Sequence, residues 1–434
     1  MALFGRTKTD LAPAQPVPPT PVPEPRRLGD APSGDENGVR SVAEHRDYLL
    51  SQVQGLRPFG IGLLEASGLT LCESISADID IPVVTTAAVT GWAVRGSNLV
   101  GAAPARPVRL PLVGEIDPGG FRGAPLMGGT TVKVAEGAPV PEGCDAVVVL
   151  DAGVEFGEDV EFTAEASFHE NLVVAGSRIA DGDRLVEAGT VLQARELGLL
   201  AEVGLDKVLA RPKPRVVVAS LGANLVDPGL PLERIGQVYD ATTPLIAATA
   251  RGDGAQVYPV GILPGDAGEL RQRLSDQLLR ADLVLIAADS SPVLAGVLGE
   301  LGAIDEARIA IEPEVPGLFA VIGEEQVPVV VLPREAYPAY LAYQAFGRPV
   351  LHKLAGIDPA EREEITLPTL QPLTADPSRT TFLLAGISER GAVPVPVEHP
   401  GVLELAAADA VIVVGPGTGE VDAHGDVTCW PLKG

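Results

Sequence analysis

Residues 134–151 read VAEGAPVPEGCDAVVVLD. Two short turns, punctuated by Gly137 and Pro139 and then by Pro141 and Gly143, lead into the apolar run Ala146 to Leu150. Glycine and proline at turn spacing, followed by valines, read as framework: residues that make turns and fill a strand-built core. The surrounding stretch, 101–162, continues as short strands and turns without helical period. It predicts a small β domain inserted into a larger one.

Working outward, residues 41–100 and 163–210 form the two halves of the domain that carries the insert. Ser41, with Glu44 three residues on, precedes apolar residues at helical spacing and predicts a capped helix. QARELGLLAEVGL predicts a second helix before KVLARPKP leads out as strand and linker. From 211 to 357 the texture changes. PRVVVAS, QVYPVGI, ADLVLIAA and VPVVVLP are strand-length apolar runs, most of them separated by amphipathic helical segments. Such alternation predicts a three-layer α/β domain with a mostly parallel sheet. Residues 358–434 return to β texture and predict a C-terminal β barrel or sandwich. The first forty residues, with APAQPVPPTPVPEPRR at 12–27, predict an extended, disordered Pro-rich tail.

The bulk numbers bound the function. The 434 residues include 49 Gly and 40 Pro, which fits a turn-rich, multidomain chain. A formal charge of −26 opposes a nucleic-acid or anionic-membrane surface role. Cys72, Cys144 and Cys429 are far apart and odd in number, which suits neither a disulfide framework nor a zinc site. The five histidines show no ligand spacing, so no metal site is expected from them. No secretory signal or uninterrupted spanning segment is present, which predicts a cytoplasmic protein without membrane insertion.

The run at 134–151 resembles the TGAPVPEGCDAVV segment of the MoeA family, the molybdopterin molybdenumtransferases that include the E domain of gephyrin. Further matches are Ile81-Pro82, Gly91-Trp92-Ala93-Val94, Gly236-Gln237-Val238-Tyr239-Asp240, Leu332-Pro333 and the Gly-Asp-Val at 425–427. The resemblance runs from about Ser41 to Leu432. It implies an elongated first domain, an inserted β domain, a molybdopterin-binding α/β domain, a C-terminal β domain and a homodimer. It also implies a reaction: insertion of molybdenum from molybdate into adenylated molybdopterin, with magnesium, releasing AMP.

A pocket for those anions needs lysines, glycine loops that present backbone N–H groups, and carboxylates for the metal. Here the family positions are replaced. Thr90 stands for an acid, Glu136 for a threonine, and Arg178 for a carboxylate, while Ala87, Val174 and Ala175 replace a serine and two arginines. In the α/β domain, Ala223 and Asn224 replace two acids, and the glycine loop becomes Asp289-Ser290-Ser291-Pro292. Glu312, Glu314 and Val315 replace lysine, glycine and lysine, and Arg334-Glu335-Ala336 follows Leu332-Pro333. His399-Pro400-Gly401-Val402 corresponds less securely to an HxGS-like turn. Asp240 is the matched polar position that survives.

A unit charge at 4 Å interacts with about 4 kcal/mol at an effective dielectric near 20. Lysine-to-glutamate changes therefore turn attraction for phosphate into repulsion of similar size. The sequence thus predicts no catalytic residues and no cofactor, and a dimeric scaffold or adaptor that binds a short peptide of a partner. By the family's precedent that peptide is an FtsZ-like tail or a receptor's cytoplasmic segment. Tyr337, Tyr340 and Tyr343 are the candidate contacts, with core or dimer packing as their plain alternative. The alternative function is the family reaction itself, with magnesium, molybdate and adenylated molybdopterin.

Overall fold

The computed structural model describes residues 26–120, 124–358, 362–397 and 399–432. The chain forms two compact units: one from the chain up to Leu56 together with Lys213–Gly434, the other from Arg57–Pro212.

In the first unit, strands Gln256–Leu263, Arg215–Leu221, Leu283–Ala288 and Val327–Leu332 lie side by side and parallel, in that order. Their alternate residues face two different cores. Val216, Val218, Leu283 and Leu285 pack with Tyr48, Leu49 and Phe346. Val217, Ala219, Val284 and Ile286 pack with Leu270, Leu294 and Leu298. Because both faces are covered, these strands read as continuous apolar runs rather than as alternation. Strands Leu318–Ile322 and Gly302–Glu306 add an antiparallel flank to the expected parallel sheet. The tight turn at 323–326, with Gly323 at φ +73° and Gln326 at φ +54°, leaves no length for a crossover helix.

The amino-terminal expectation needs correction. Of the predicted tail, residues 1–25 lie outside the described residues, but 26–27 join the seven-stranded sheet and 39–40 form a separate two-stranded pair. Arg26–Arg27 pairs in parallel with Ala303 and Ile304, and Val39–Arg40 with Arg308 and Ile309. The physical reason is Asp305, buried near the sheet's edge. Arg40 donates from Nη1 and Nη2 to its two carboxylate oxygens at 2.6 and 2.9 Å. Both side chains are less than a tenth exposed, so the carboxylate would be costly without this partner. The following helix, Val42–Ser51, opens with the predicted capping box between Ser41 and Glu44. It belongs to this unit and not with the rest of 41–100, because its buried face packs into the α/β core.

Helix Ala336–Ala342 runs through a π turn, Tyr343–Gly347, into helix Arg348–Ala355. A Cβ on Gly347 would lie 2.8 Å from Cδ2 of Tyr343, so only glycine lets that ring lie against the backbone. The remaining sheet of this unit runs Ile311–Glu312, Thr380–Ser388, Ala410–Val414, Asp426–Pro431, Ile365–Pro368. Gly391–Pro394 pairs with Thr380–Ser388, and a bridge from Ala392 to Thr369 curls the sheet back on itself. Its first strand, Ile311–Glu312, comes from the α/β segment, so the boundary at 358 is crossed by the sheet itself.

In the second unit the six-stranded sheet has the order Gly153–Phe156, Asp159–Phe162, Val108–Ile116, Thr131–Val134, Gly91–Val94, Ala146–Val149. Gly91–Val94 sits between two strands of the insert, so the β domain begins earlier than residue 101. A Cβ at Gly91 would meet the Val148 carbonyl oxygen at 2.2 Å, which fixes glycine in that motif. The insert is carried by three two-stranded ribbons that pair 57–100 with 163–210 and by helix Ala194–Glu202.

Two measurements probe the first unit. A Trp92→Phe background leaves Trp430 as its fluorescent reporter. There, Arg40→Met should cost about 3–5 kcal/mol in urea unfolding by stranding Asp305, and Arg40→Met with Asp305→Leu should recover most of it. His45 is 3% exposed and packs edge-on against Phe346 at 5.1 Å. Burial lowers its pKa from 6.5 to about 4. The folded state keeps it neutral, so stability is full above pH 6.5 and is lost as pH falls from there to about 4. The loss should reach about 3 kcal/mol, and His45→Phe should flatten that part of the pH profile.

Candidate functional site

In a doubly covered α/β sheet, ligands bind beyond the carboxyl ends of the strands, where strand order reverses. Strands Arg215–Leu221 and Leu283–Ala288 end there at a pocket of about 280 Å³. It is lined by Leu221, Gly222, Ala223, Leu263, Gly265, Asp289, Ser290, Ser291 and Val293. None of these nine side chains is cationic, and the only charged one is a carboxylate.

Helix Pro292–Leu301 starts at this pocket. Ser291 caps it by accepting the Leu294 N–H at 3.2 Å, and Pro292 in the first turn carries no N–H at all. Two of the donors that a helix end could offer an anion are therefore taken or missing. Asp289 does not stand alone. Its Oδ2 accepts from Nε of Arg334 at 2.7 Å, across the ends of strands Leu283–Ala288 and Val327–Leu332. Arg334 also presses on Gly222, where an added Cβ would meet its Cδ at 3.1 Å. Its carbonyl accepts from Oγ1 of Thr242 at 2.6 Å. Arg334 is thus held at its Nε and at its backbone carbonyl. The sequence shows Asp289 and Arg334 as separate replacements; only the fold makes them a pair.

Asp240, the retained pocket candidate, is 3% exposed. Oδ1 accepts from Ser220 Oγ at 3.0 Å and from the Thr242 and Thr243 backbone N–H groups at 3.1 and 3.0 Å. Oδ2 accepts from Thr243 Oγ1 at 2.6 Å. The carboxylate caps helix Thr242–Gly252 and ties it to strand Arg215–Leu221. Its oxygens are engaged inside the unit, by Ser220, Thr242 and Thr243. Asn224 holds the same neighbourhood together. Its Nδ2 donates to the Gly236 carbonyl at 3.0 Å, beside the short parallel pair Leu225–Val226 and Val238–Tyr239.

The other replaced positions fall elsewhere. Glu312 is exposed on the short strand paired with Thr380 and Thr381, and Glu314 pairs with Arg379 Nη1 at 3.0 Å. Val315 is half-buried against the core. None of the three lines the pocket, so the expectation of several added acids around one cleft reduces, in this unit, to Asp289. In the second unit, Thr90 and Glu136 do come together: the Glu136 backbone N–H donates to Thr90 Oγ1 at 3.0 Å, and the carboxylate is exposed. Arg178 is exposed and reaches Glu202 at 3.4 Å. Gly137, at φ +76°, turns the chain so that its N–H meets the Ala87 carbonyl at 2.8 Å. The 134–151 run is framework here, as its turns predict.

The tyrosines are corrected as well. Tyr337 is 6% exposed, and its hydroxyl donates to the Phe382 carbonyl at 3.2 Å. Tyr343 is fully buried, and its hydroxyl donates to Asp253 Oδ2 at 2.7 Å. Burial pushes the Tyr337 hydroxyl up to about 12 and the Tyr343 hydroxyl well above its ordinary value. Tyr340 is half-buried beside the same core. Side chains this enclosed weld helix to sheet and offer a peptide little surface. Among the described residues no three His, Cys, Asp or Glu side chains group as a metal site. Among them, too, no helix is long and apolar enough to cross a membrane.

Comparison with known proteins fits this architecture. The model of the MoeA N-terminal region, domains I and II, matches residues 40–204. Molybdopterin molybdenumtransferase 1 of Mycobacterium tuberculosis is 29% identical over 368 residues, covering 80% of this chain and 85% of the relative. Molybdopterin molybdenumtransferase 2 of the same organism is 27% identical over 408 residues, covering 91% and 100%. Two solved structures of the molybdopterin biosynthesis protein MoeA from Pyrococcus horikoshii each cover 91% of this chain and 100% of their own. They superpose with TM-scores of 0.80 and 0.68, at 24% and 19% identity, which speaks for the fold. Its matched N-terminal region, its relatives at 27–29% identity and its structural neighbours together make the chain MoeA-like.

Proposed function

We propose that this chain is a MoeA-like scaffold whose switch-point pocket has lost the means to hold a phosphorylated substrate. One observation carries the reading: Asp289, the single charged residue of the pocket's lining, is paired with Arg334 at 2.7 Å. A polyanion entering there meets a carboxylate, and the one guanidinium placed to receive it must first leave that carboxylate. The residues present do not fit adenylated molybdopterin, molybdate or a catalytic magnesium ion. The Asp240 carboxylate caps a helix, and the glycine loop of the family has become a capped, proline-started helix end. No reaction step is therefore derived for this site.

The scaffold reading keeps a homodimer and a short partner peptide, an FtsZ-like tail or a receptor's cytoplasmic segment, as its proposed interactions. Its support is the contrast between a frame whose buried carboxylates are paired and a pocket whose lining carries no cation. A second reading, molybdenum insertion into adenylated molybdopterin, is favoured by the names of the relatives at 27–29% identity.

The two readings part in one assay. The full chain is titrated with adenylated molybdopterin, molybdate and magnesium, and AMP release is followed by chromatography. No release is expected, and turnover of AMP sinks the scaffold reading. Asp289→Asn should raise AMP affinity about tenfold, worth about 1.4 kcal/mol, by freeing Arg334 and removing the opposing charge. Calorimetry on both proteins reads this directly. Equal affinities would show that the ion pair does not guard the pocket.

A further inference from the structure

The opposite pole of the same sheet carries a larger feature. A groove of about 980 Å³ opens at the amino-terminal ends of strands Arg215–Leu221 and Leu283–Ala288. Its apolar walls include Leu28, Val53, Leu279, Pro328 and Leu354. Leu279 is 87% exposed, an apolar side chain left in water at the end of helix Ala267–Leu278. Polar groups on the rim divide into two kinds. Arg215 and Asp282 neutralise each other at 2.7 Å. Glu324 and Glu325, on the exposed turn at 323–326, make no ion pair among the described residues.

A concave surface of mixed apolar and polar lining, with two acids outside any ion pair on one side, specifies its guest by charge as well as by shape. We propose that this groove docks a short peptide of a partner protein in which Leu or Phe side chains stand next to Lys or Arg. The apolar residues fill the trough between Leu28, Val53 and Leu354, and the cations lie against Glu324 and Glu325. An acidic peptide is rejected by the same pair of carboxylates. The turn that carries them links two strands buried on both faces, so they are presented on a fixed support. The site names a partner class for the scaffold reading but does not depend on it, because it lies at the far end of the sheet from the 280 Å³ pocket.

The test uses the full chain and a fluorescein-labelled octapeptide of alternating leucine and lysine, read by anisotropy. Saturable binding is expected with a Kd on the order of 10 µM. The double variant Glu324→Lys, Glu325→Lys should weaken it at least ~10-fold, and the same peptide with glutamate for lysine should not bind. Leu279→Asp should also weaken it, and unchanged melting temperatures check that the variants fold. Absence of saturation at about 1 mM peptide overturns the proposal, as does equal binding of the lysine and glutamate peptides. If the double variant instead changes the mass of the protein by sedimentation while leaving peptide binding intact, the groove's occupant is a second copy and the peptide assignment is wrong. AMP release plays no part in these readouts, so this proposal and the scaffold reading can fail separately.

Discussion

Strands Arg215–Leu221, Leu283–Ala288 and Val327–Leu332 are buried on both faces. Neither face can turn to water, and the register of each strand is fixed by two cores at once. The consequence at the carboxyl ends is geometric. Asp289 follows one strand directly, Arg334 follows another by two residues, and the strands are hydrogen-bonded neighbours. Their charged side chains therefore emerge side by side and meet at 2.7 Å. What fills the pocket mouth is thus a result of how the sheet is held, and the functional reading rests on that constraint.

The chain is strongly acidic, yet its interior carboxylates are matched. Asp305 is held by Arg40, Asp282 by Arg215, and Asp253 by Arg348 and the Tyr343 hydroxyl. Asp240 has four hydrogen-bond donors and no cation. In each case the partner comes from a different element, so the bond ties parts of the unit together. Arginine suits this work because its planar fork satisfies two carboxylate oxygens at once and stays charged when buried.

The sheet presents two ends of unlike chemistry. At its carboxyl pole, small loops, a capped helix and an ion pair close a cavity of about 280 Å³. At its amino pole, the ends of three helices and a hairpin turn line about 980 Å³ with apolar and polar side chains and an acidic rim. Strand polarity accounts for the difference. Parallel strands joined by helices have connections at both ends, and those at the carboxyl end crowd together here. At the other end they leave gaps, which here are walled by the ends of helices Val42–Ser51 and Arg348–Ala355.

The sequence by itself determined the local elements and the likeness to MoeA proteins. Double-sided apolar runs announce buried parallel strands, Ser41 with Glu44 announces a helix start, and glycine and proline at 137–143 announce turns, because each signal is set by neighbours a few residues away. It also exposed the altered positions, one by one. Tertiary structure alone decided which of them act together. Asp289 met Arg334 across 45 residues, whereas Glu312 and Glu314 moved to another sheet and away from the pocket. Asp240 was drawn to a helix start, Tyr337 and Tyr343 into the core, and Arg26–Arg27 onto the edge of the sheet. An isolated letter carries its charge and size, but its electrostatic effect depends on distance and on burial, and both are created only when strands far apart in the chain are packed together.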